Sequence, residues 1–440
     1  MKGIKWIKSG LIATLSFSFL MMGSPVKAAA PDLEAEAAIL VEAETGKILY
    51  DENIDVILPP ASMTKIMTEY LVHEAIDEGE ISWEDEVHIS DAVRQLSLDT
   101  SLSNVPLRQD EVYTVKELYE AMAIYSANAA TVALAEHIAG SEANFVERMN
   151  AKAEEIGMED YKFVNSSGLN NQSMKGHHPE GTGADEENMM SARATAILAY
   201  HLLNEYPEVL DTASIRTKTF KEGTEDYIEM ENWNWMLPGS VFEYEGVDGL
   251  KTGYTDLAGN AFTSTAERDG LRLISVVMRT ESREARFRET AKLLDYGFND
   301  FEYVNVIEKG ESVKGHETIP VSKGKVDEVS VSAGEDLSVL LEKGNEEGVS
   351  PVVTINEDLL NEDGEIEAPM EEGEVIGTIG VAYEEDVSYL QKELEAAHHI
   401  PLVLDEPVEK AGWFSLTIRS IGSFFGSVWD QAANFVKGIF

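Results

Sequence analysis

The sequence predicts an α+β fold followed by a small all-β unit. Three features point there. A pair of strand-like runs lies near the N-terminus and is followed by a block of runs with helical spacing. Further strand-like runs and one more helical run close that part. From Glu302 onward only short alternating runs remain, divided by Gly- and Asp-containing turns.

Composition bounds the answer. The chain has 440 residues, enough for two or three domains, and 43% hydrophobic residues, enough to bury a sizeable core. It has no cysteine, which removes disulfides, a thiol nucleophile and thiolate metal sites. The formal charge is −47, from 34 basic and 81 acidic residues, so the surface repels nucleic acid and no nucleic-acid partner is expected. Acidity is densest from Glu357 to Glu395 and reads equally as a surface tolerant of high salt or as simple colloidal solubility.

Residues 1–28 read as a secretory signal. Lys2, Lys5 and Lys8 form its basic region, Leu11 to Met22 its apolar core, and Val26-Lys27-Ala28 its cleavage site. The apolar run is short for a membrane span, so the chain is expected to be exported and cleaved. Ala37 to Val41 and Lys47 to Tyr50 read as strands joined by Glu44-Thr45-Gly46, where Gly46 is free to take positive φ. Pro59 and Pro60 then stop a strand-like run. Helical spacing begins at Ser62, with Ile66, Met67, Tyr70 and Leu71, and runs to about Ile76. Ser82 to Asp110 is mixed, with strand-like Glu86 to Ile89.

Val115 to Ile124 and Ala129 to Ile138 read as helices separated by the polar break Tyr125-Ser126-Ala127-Asn128. Phe145 to Ile156 is another helix, closed by Gly157. Asn165 to Gly183 is a loop rich in Asn, Gly and His. Its adjacent His177 and His178 cannot easily put both rings on one ion and no third ligand is evident, so no metal is expected. Ser191 to Leu203 is helical, and Thr217 to Phe220 and Tyr227 to Met230 alternate like strands. Val247 to Gly253 is a short strand. Asn260 to Ala266 and Leu271 to Arg279 form a hairpin around Asp269-Gly270, and Ser282 to Tyr296 is the closing helix.

The β-rich part contains strand-like Tyr303 to Ile307, Glu328 to Val331, Leu337 to Leu340, Val352 to Ile355 and Val375 to Val381, and ends near Leu404. In the last segment, residues 405–440, apolar Phe414, Ile418, Ile421, Phe425, Val428 and Val436 recur at steps of three or four. Arg419 and Asp430 interrupt any continuous span, so an amphipathic helix lying on a membrane surface is expected, with a terminal helix docked on the protein's own core as the alternative.

Three short motifs carry chemistry. Ser62-Met63-Thr64-Lys65 is S-x-x-K at a helix start, where free N–H groups favour negative charge and Lys65 lies one turn on, on the same face. Ser126-Ala127-Asn128 is S-x-N in an interhelix break. Lys251-Thr252-Gly253 is K-T-G on a strand. Taken singly, each is more commonly a cap, a turn or a solvated strand end. Ser322-Lys323-Gly324-Lys325 also fits S-x-x-K, but in the β-rich part, where it reads as a solvated turn. The order and spacing of the trio is far less easily accidental. A hydroxyl that attacks needs a base for its proton and N–H groups for the oxyanion it creates, and the Ser62 stretch can supply the first and part of the second.

With these motifs the chain resembles the penicillin-binding, serine-type D-alanyl-D-alanine carboxypeptidases over nearly its whole length. The resemblance implies a β-lactamase/transpeptidase-like catalytic domain over residues 29–301, a β-rich domain over 302–404 and a membrane anchor over 405–440. It implies removal of the terminal D-alanine from peptidoglycan stem pentapeptides at the outer face of the cytoplasmic membrane, capture by β-lactams, and no cofactor. Ser62 would be the nucleophile and Lys65 its base, neutral through burial and the nearby Lys251. Ser126 would relay a proton to the leaving amine, and Asn128 would hold the substrate amide and orient Lys65. Lys251 and Thr252 would hold the terminal carboxylate, and Gly253 would let the substrate backbone approach. The N–H groups of Ser62 and Tyr254 would form the oxyanion hole. Tyr254 stands where the resemblance implies His. Only its backbone is needed, so the hole survives while selectivity is in question.

Two rivals remain. A class A β-lactamase needs a glutamate to activate the deacylating water. The string Glu357-Asp358-Leu359-Leu360-Asn361 fits E-x-x-L-N but lies after K-T-G, in the wrong part. A non-catalytic penicillin sensor or wall-binding module would bind without releasing product, and no cytoplasmic signalling segment supports a sensor.

Overall fold

The computed structural model describes residues 30–412. The segments expected to be a secretory signal (1–28) and an amphipathic helix (from Trp413) lie outside the described residues. Among the described residues no helix is long and apolar enough to cross a membrane.

The first unit is α+β, as expected. Its main elements are β1 (Ala37–Glu42), β2 (Ile48–Glu52), α1 (Lys65–Asp77), α2 (Val115–Tyr125), α3 (Asn128–Ala139), α4 (Glu142–Glu155), α5 (Ala192–Glu205), β3 (Val247–Thr255), β4 (Gly259–Arg268), β5 (Leu271–Thr280) and α6 (Arg283–Asp300). Five strands form an antiparallel sheet in the order β2-β1-β5-β4-β3. Because strand side chains alternate, β1 feeds two cores. Ile39 and Val41 join Val276, Met63, Ile66 and Leu198 on one face. Leu40 joins Leu273, Val277, Phe287, Leu293 and Leu294 of α6 on the other. A separate core built on α2 and α3, with Leu118, Met122, Ala130 and Leu134, makes the helical part.

Local signals fix the helix ends. Thr114 and Glu117 form a capping box at α2, and Ser141, Ser191 and Ser282 cap α4, α5 and α6. The Ser62 reading needs correction. Ala61–Thr64 is a 3₁₀ turn, and the α-helix starts only at Lys65. Pro60 and a left-handed Ala61 (φ 49) set this tight entry. The segment read as mixed also contains a helix, Asp91–Ser97, capped by Ser90. β3 runs on to Thr255, longer than the strand expected from sequence, because Gly259 to Ala266 pairs with it along its length.

The second unit is β-rich, with one short helix, Lys392–Ala397, before its last strand. It comprises β6 (Phe301–Ile307), β7 (Thr318–Ser322), β8 (Glu328–Ala333), β9 (Leu337–Glu342), β10 (Val349–Ile355), β11 (Ile366–Glu367), β12 (Val375–Tyr383) and β13 (Ile400–Leu404). Six of these form a sheet in the order β10-β12-β13-β8-β7-β11, while β6 pairs with β9. It is fastened to the first unit by backbone bonds from Ile48 N–H to Ser388 O (2.8 Å) and from Leu390 N–H to Gly46 O (2.9 Å). Lys47 Nζ also donates to Leu340 O at 2.6 Å. The second S-x-x-K string lies here, at the end of β7. Its Lys323 is exposed and paired with Glu367 at 2.6 Å, as a solvated turn requires.

Candidate active site

The three motifs meet at one cleft of about 680 Å³ between the sheet edge and the helical part. Ser62, Ser126, Asn128, Thr252, Gly253 and Tyr254 all line it. Lys65 and Lys251 do not line it; both are buried behind the lining residues.

Lys65 is the centre of the arrangement. It is fully buried, and its Nζ lies 3.1 Å from Ser62 Oγ, 2.8 Å from Asn128 Oδ1 and 2.6 Å from Ser167 O. Asn128 Nδ2 donates to Ser103 O at 3.0 Å, which fixes the amide so that its oxygen faces the lysine. Burial first, and the positive Lys251 second, hold the Lys65 amine well below the ordinary lysine range, against the opposite pull of Glu69. A neutral amine has two N–H groups and one lone pair. The Asn128 and Ser167 oxygens can only accept, so they take the two N–H groups. The lone pair is then left facing the Ser62 hydroxyl, in position to take its proton.

Each partner is placed by its own local structure. Ser126 sits at the C-cap of α2 in the left-handed region (φ 61), so α2 stops abruptly and α3 begins at Asn128. That places Ser126 and Asn128 at the cleft two residues apart. Lys251 lies opposite Thr263 in the ladder and Thr252 opposite Phe262, so β3 presents successive residues to opposite sides. Burial is the main effect that lowers the Lys251 amine; the nearby Arg286 adds to it and Glu69 opposes it.

Gly253 lines the cleft and is also needed by the chain itself. A Cβ there would stand 2.4 Å from Pro60 O, so the glycine lets β3 pass close to the Ser62 turn of the chain itself. Arg286 Nη1 donates to Gly253 O at 3.2 Å from below. Burial holds that guanidinium near 9.

Several residues escaped the sequence reading. Asn165 to Leu169, read only as the start of a loop, forms the floor of the site. Gly168 (φ +79) lies so close to the Ser62 turn that a Cβ would fall 1.9 Å from Ala61 O. Thr68 Oγ1 donates to Ser166 O at 2.7 Å, and Asn188 Nδ2 ties Thr64 Oγ1 to Asn165 O, both at 2.9 Å. The run of small polar residues ending in Gly was the available signal. Glu187, Trp233 and Arg283 also line the cleft. Glu187 accepts from Thr255 Oγ1 at 3.1 Å and from Asn170 Nδ2 at 2.8 Å. The Arg283 guanidinium stands 5.4 Å from the Trp233 ring and 5.8 Å from the half-exposed Tyr254 ring. His177 and His178 face different partners, Gln95 and Thr182. The E-x-x-L-N glutamate, Glu357, begins a 3₁₀ turn in the β-rich unit.

Comparison with known proteins agrees with this geometry. The family described as D-alanyl-D-alanine carboxypeptidase matches residues 24–282, and the C-terminal domain of penicillin-binding protein 5 matches residues 301–410. The D-alanyl-D-alanine carboxypeptidase DacF of Bacillus subtilis is 32% identical over 391 residues, 89% of this chain and 90% of DacF. The crystal structure of PBP3, a peptidoglycan synthesis regulatory factor from Streptococcus pneumoniae, superposes with a TM-score of 0.72 at 36% identity, covering 86% of this chain and 99% of that one. Penicillin-binding protein D2 of Listeria monocytogenes, solved in its ampicillin-bound form, matches at 35% identity and TM-score 0.51, over 61% of this chain and 100% of its own. A buried lysine beside a cleft serine, the matching order of motifs and the β-rich appendage lead to one assignment: the chain belongs to the serine-type D-alanyl-D-alanine carboxypeptidase family.

Proposed function

We propose that the protein removes the terminal D-alanine from peptidoglycan stem pentapeptides through an acyl-enzyme on Ser62. The observation that carries this reading is the Lys65 amine, buried, held off its ordinary protonation and 3.1 Å from Ser62 Oγ. The Ser62 hydroxyl gives its proton to Lys65 as its oxygen attacks the penultimate carbonyl. The N–H groups of Ser62 and Tyr254 take the oxyanion charge. Ser126 passes the proton to the departing D-alanine nitrogen, while Asn128 bonds the substrate amide and holds Lys65. Thr252 donates to the terminal carboxylate, and Lys251, buried behind it, acts as a point charge. Water then attacks the ester with Lys65 again as base, and Ser62 is regenerated.

β-Lactams are captured by the same acylation. The glutamate of the E-x-x-L-N string lies outside the cleft, which supports slow deacylation and inhibition rather than β-lactamase turnover. The chain is read as a leader (1–28), a catalytic domain (29–301), a β-rich domain and an anchor; the expected boundary at 404/405 moves towards the C-terminus, because Val408 packs in the β-rich core and Lys410 pairs with Gly324. In this reading the enzyme works at the outer face of the cytoplasmic membrane. Deletion of residues 413–440 then frees the enzyme from membranes, and continued sedimentation with them refutes the anchor. The test of function is release of D-alanine from a peptide ending in D-Ala-D-Ala, lost in Ser62→Ala. Binding without release by the wild type overturns the reading in favour of a sensor or wall-binding module.

A further inference from the structure

A chain of buried titratable groups leads away from the two lysines. Lys65, Glu69 and His73 are spaced one turn apart along α1, and all three are buried. The Tyr119 hydroxyl from α2 lies 3.5 Å from Glu69 Oε2 and 3.0 Å from His73 Nε2. The other ring nitrogen, His73 Nδ1, lies 3.3 Å from Glu208 Oε1, whose side chain is 55% exposed. Trp83, Tyr119 and Tyr206 enclose the imidazole, with ring centroids 5.4, 5.2 and 5.7 Å away. From Glu69 the groups run to solvent, each within 3.5 Å of the next, while Glu69 acts on the two lysines through its charge. The mechanism above uses none of the groups beyond the lysines.

We propose that Glu69 is a positioning residue that sets the charge of the Lys65–Lys251 pair and exchanges its proton with solvent through Tyr119, His73 and Glu208. A tyrosine hydroxyl has one hydrogen. With both of its bonds made, two wirings are possible. In one, protonated Glu69 donates to Tyr119, and Tyr119 donates to a neutral His73. In the other, protonated His73 donates to Tyr119, and Tyr119 donates to ionised Glu69. Passing between them moves one proton from the Glu69 oxygen to Tyr119 while the tyrosine's own proton moves to His73 Nε2. From the protonated ring, His73 Nδ1–H passes its proton to Glu208, which leaves a neutral imidazole whose hydrogen is on Nε2 and still donates to Tyr119. The relay therefore carries one proton in or out with no net chemistry.

The charged groups facing Glu69 are Lys65 on its own helix and Lys251 on β3, and those facing Lys251 are Glu69 and Arg286. Burial raises the Glu69 carboxyl and lowers both amines. The working state has Lys65 neutral, Lys251 positive and Glu69 ionised, so the cluster is neutral overall and Lys251 can meet a substrate carboxylate. A proton added to this cluster belongs to the group as a whole. Without the carboxylate, both lysines lose their protons at lower pH.

The proposal rests on the carboxypeptidase reading, which wild-type release of D-alanine tests separately. The direct experiment is the pH profile of kcat/KM for a D-Ala-D-Ala peptide in wild type, Glu69→Gln and Glu69→Asp. Glu69→Gln keeps the shape and the acceptor for Tyr119 but removes the charge. Both limbs of its profile move about one pH unit towards acid, and KM at neutral pH rises about tenfold. Glu69→Asp keeps the charge and leaves the limbs near the wild-type positions. A purely structural Glu69 lowers the profile by one factor at every pH, and unmoved limbs in Glu69→Gln overturn the charge assignment. Should that variant fail to fold, Tyr119→Phe tests the outlet. After a jump from acid to neutral pH, wild type acylates with benzylpenicillin at once and Tyr119→Phe shows a lag. An immediate response in Tyr119→Phe overturns the relay.

Discussion

Gly168→Ala tests whether the Asn165 to Leu169 loop positions Ser62. The glycine has φ +79, where an L-residue costs about 1–2 kcal/mol. The new Cβ would also fall 1.9 Å from Ala61 O and 2.8 Å from Thr64 Oγ1. The nearer contact is with backbone that no rotamer change can clear, so the loop and the Ser62 turn must separate by about 1 Å, adding about 1–3 kcal/mol of overpacking strain. Ala61 immediately precedes Ser62, and Ser167 O, one residue from Gly168, bonds Lys65. A displacement of about 1 Å at reacting atoms costs about 100-fold in rate. The variant should lose about 2–5 kcal/mol of stability by thermal unfolding and about 100-fold in the benzylpenicillin acylation rate. Gly176→Ala is the control. It has φ +89 but nothing within 4 Å of the added Cβ, so it bears the backbone cost alone and acylates normally. If Gly168→Ala melts lower yet acylates like wild type, the loop does not place the nucleophile.

Other perturbations probe other contacts. Asn128→Ala removes one of the two carbonyl acceptors that aim the Lys65 lone pair, and acylation should fall about 10- to 100-fold, read by stopped-flow penicillin binding. Lys251→Gln removes the positive neighbour that helps keep Lys65 neutral, so the acid limb of acylation should rise by about one pH unit; an unmoved limb means burial alone sets the base. Glu142 is buried, and burial raises its carboxyl from 4.5 to about 7, so its contribution to stability is full below the unfolded value and is lost as pH rises through the folded one. Relative to Glu142→Gln, wild type should therefore lose about 3 kcal/mol between pH 4 and pH 8.5, measured by denaturant unfolding at each pH.

The fold class and the three motifs were legible because strand alternation, helical spacing and short motif strings are local. The cleft residues Ser62, Ser126, Asn128 and Thr252 could be named for the same reason. What escaped depends on contacts far apart in sequence. Thr68, Glu69 and His73 look like the solvated face of an amphipathic helix, yet α1 is buried almost all round between the sheet and the helical part. The floor loop was missed because its importance lies in the approach of Gly168 to Ala61, which no local pattern announces. Ser62 was placed at an α-helix start, but Pro60 and left-handed Ala61 force a tighter 3₁₀ entry first. The close approach of Gly253 to the chain's own Pro60 carbonyl is likewise a contact no local pattern announces.

The most direct measurement is the mass of the protein after benzylpenicillin treatment, followed by mapping of the modified peptide. One adduct on the peptide carrying Ser62, absent in Ser62→Ala and slowed in Lys65→Met, is the predicted result. An unmodified wild-type protein, or an adduct on any other residue, would contradict the assignment of Ser62 and Lys65 as nucleophile and base.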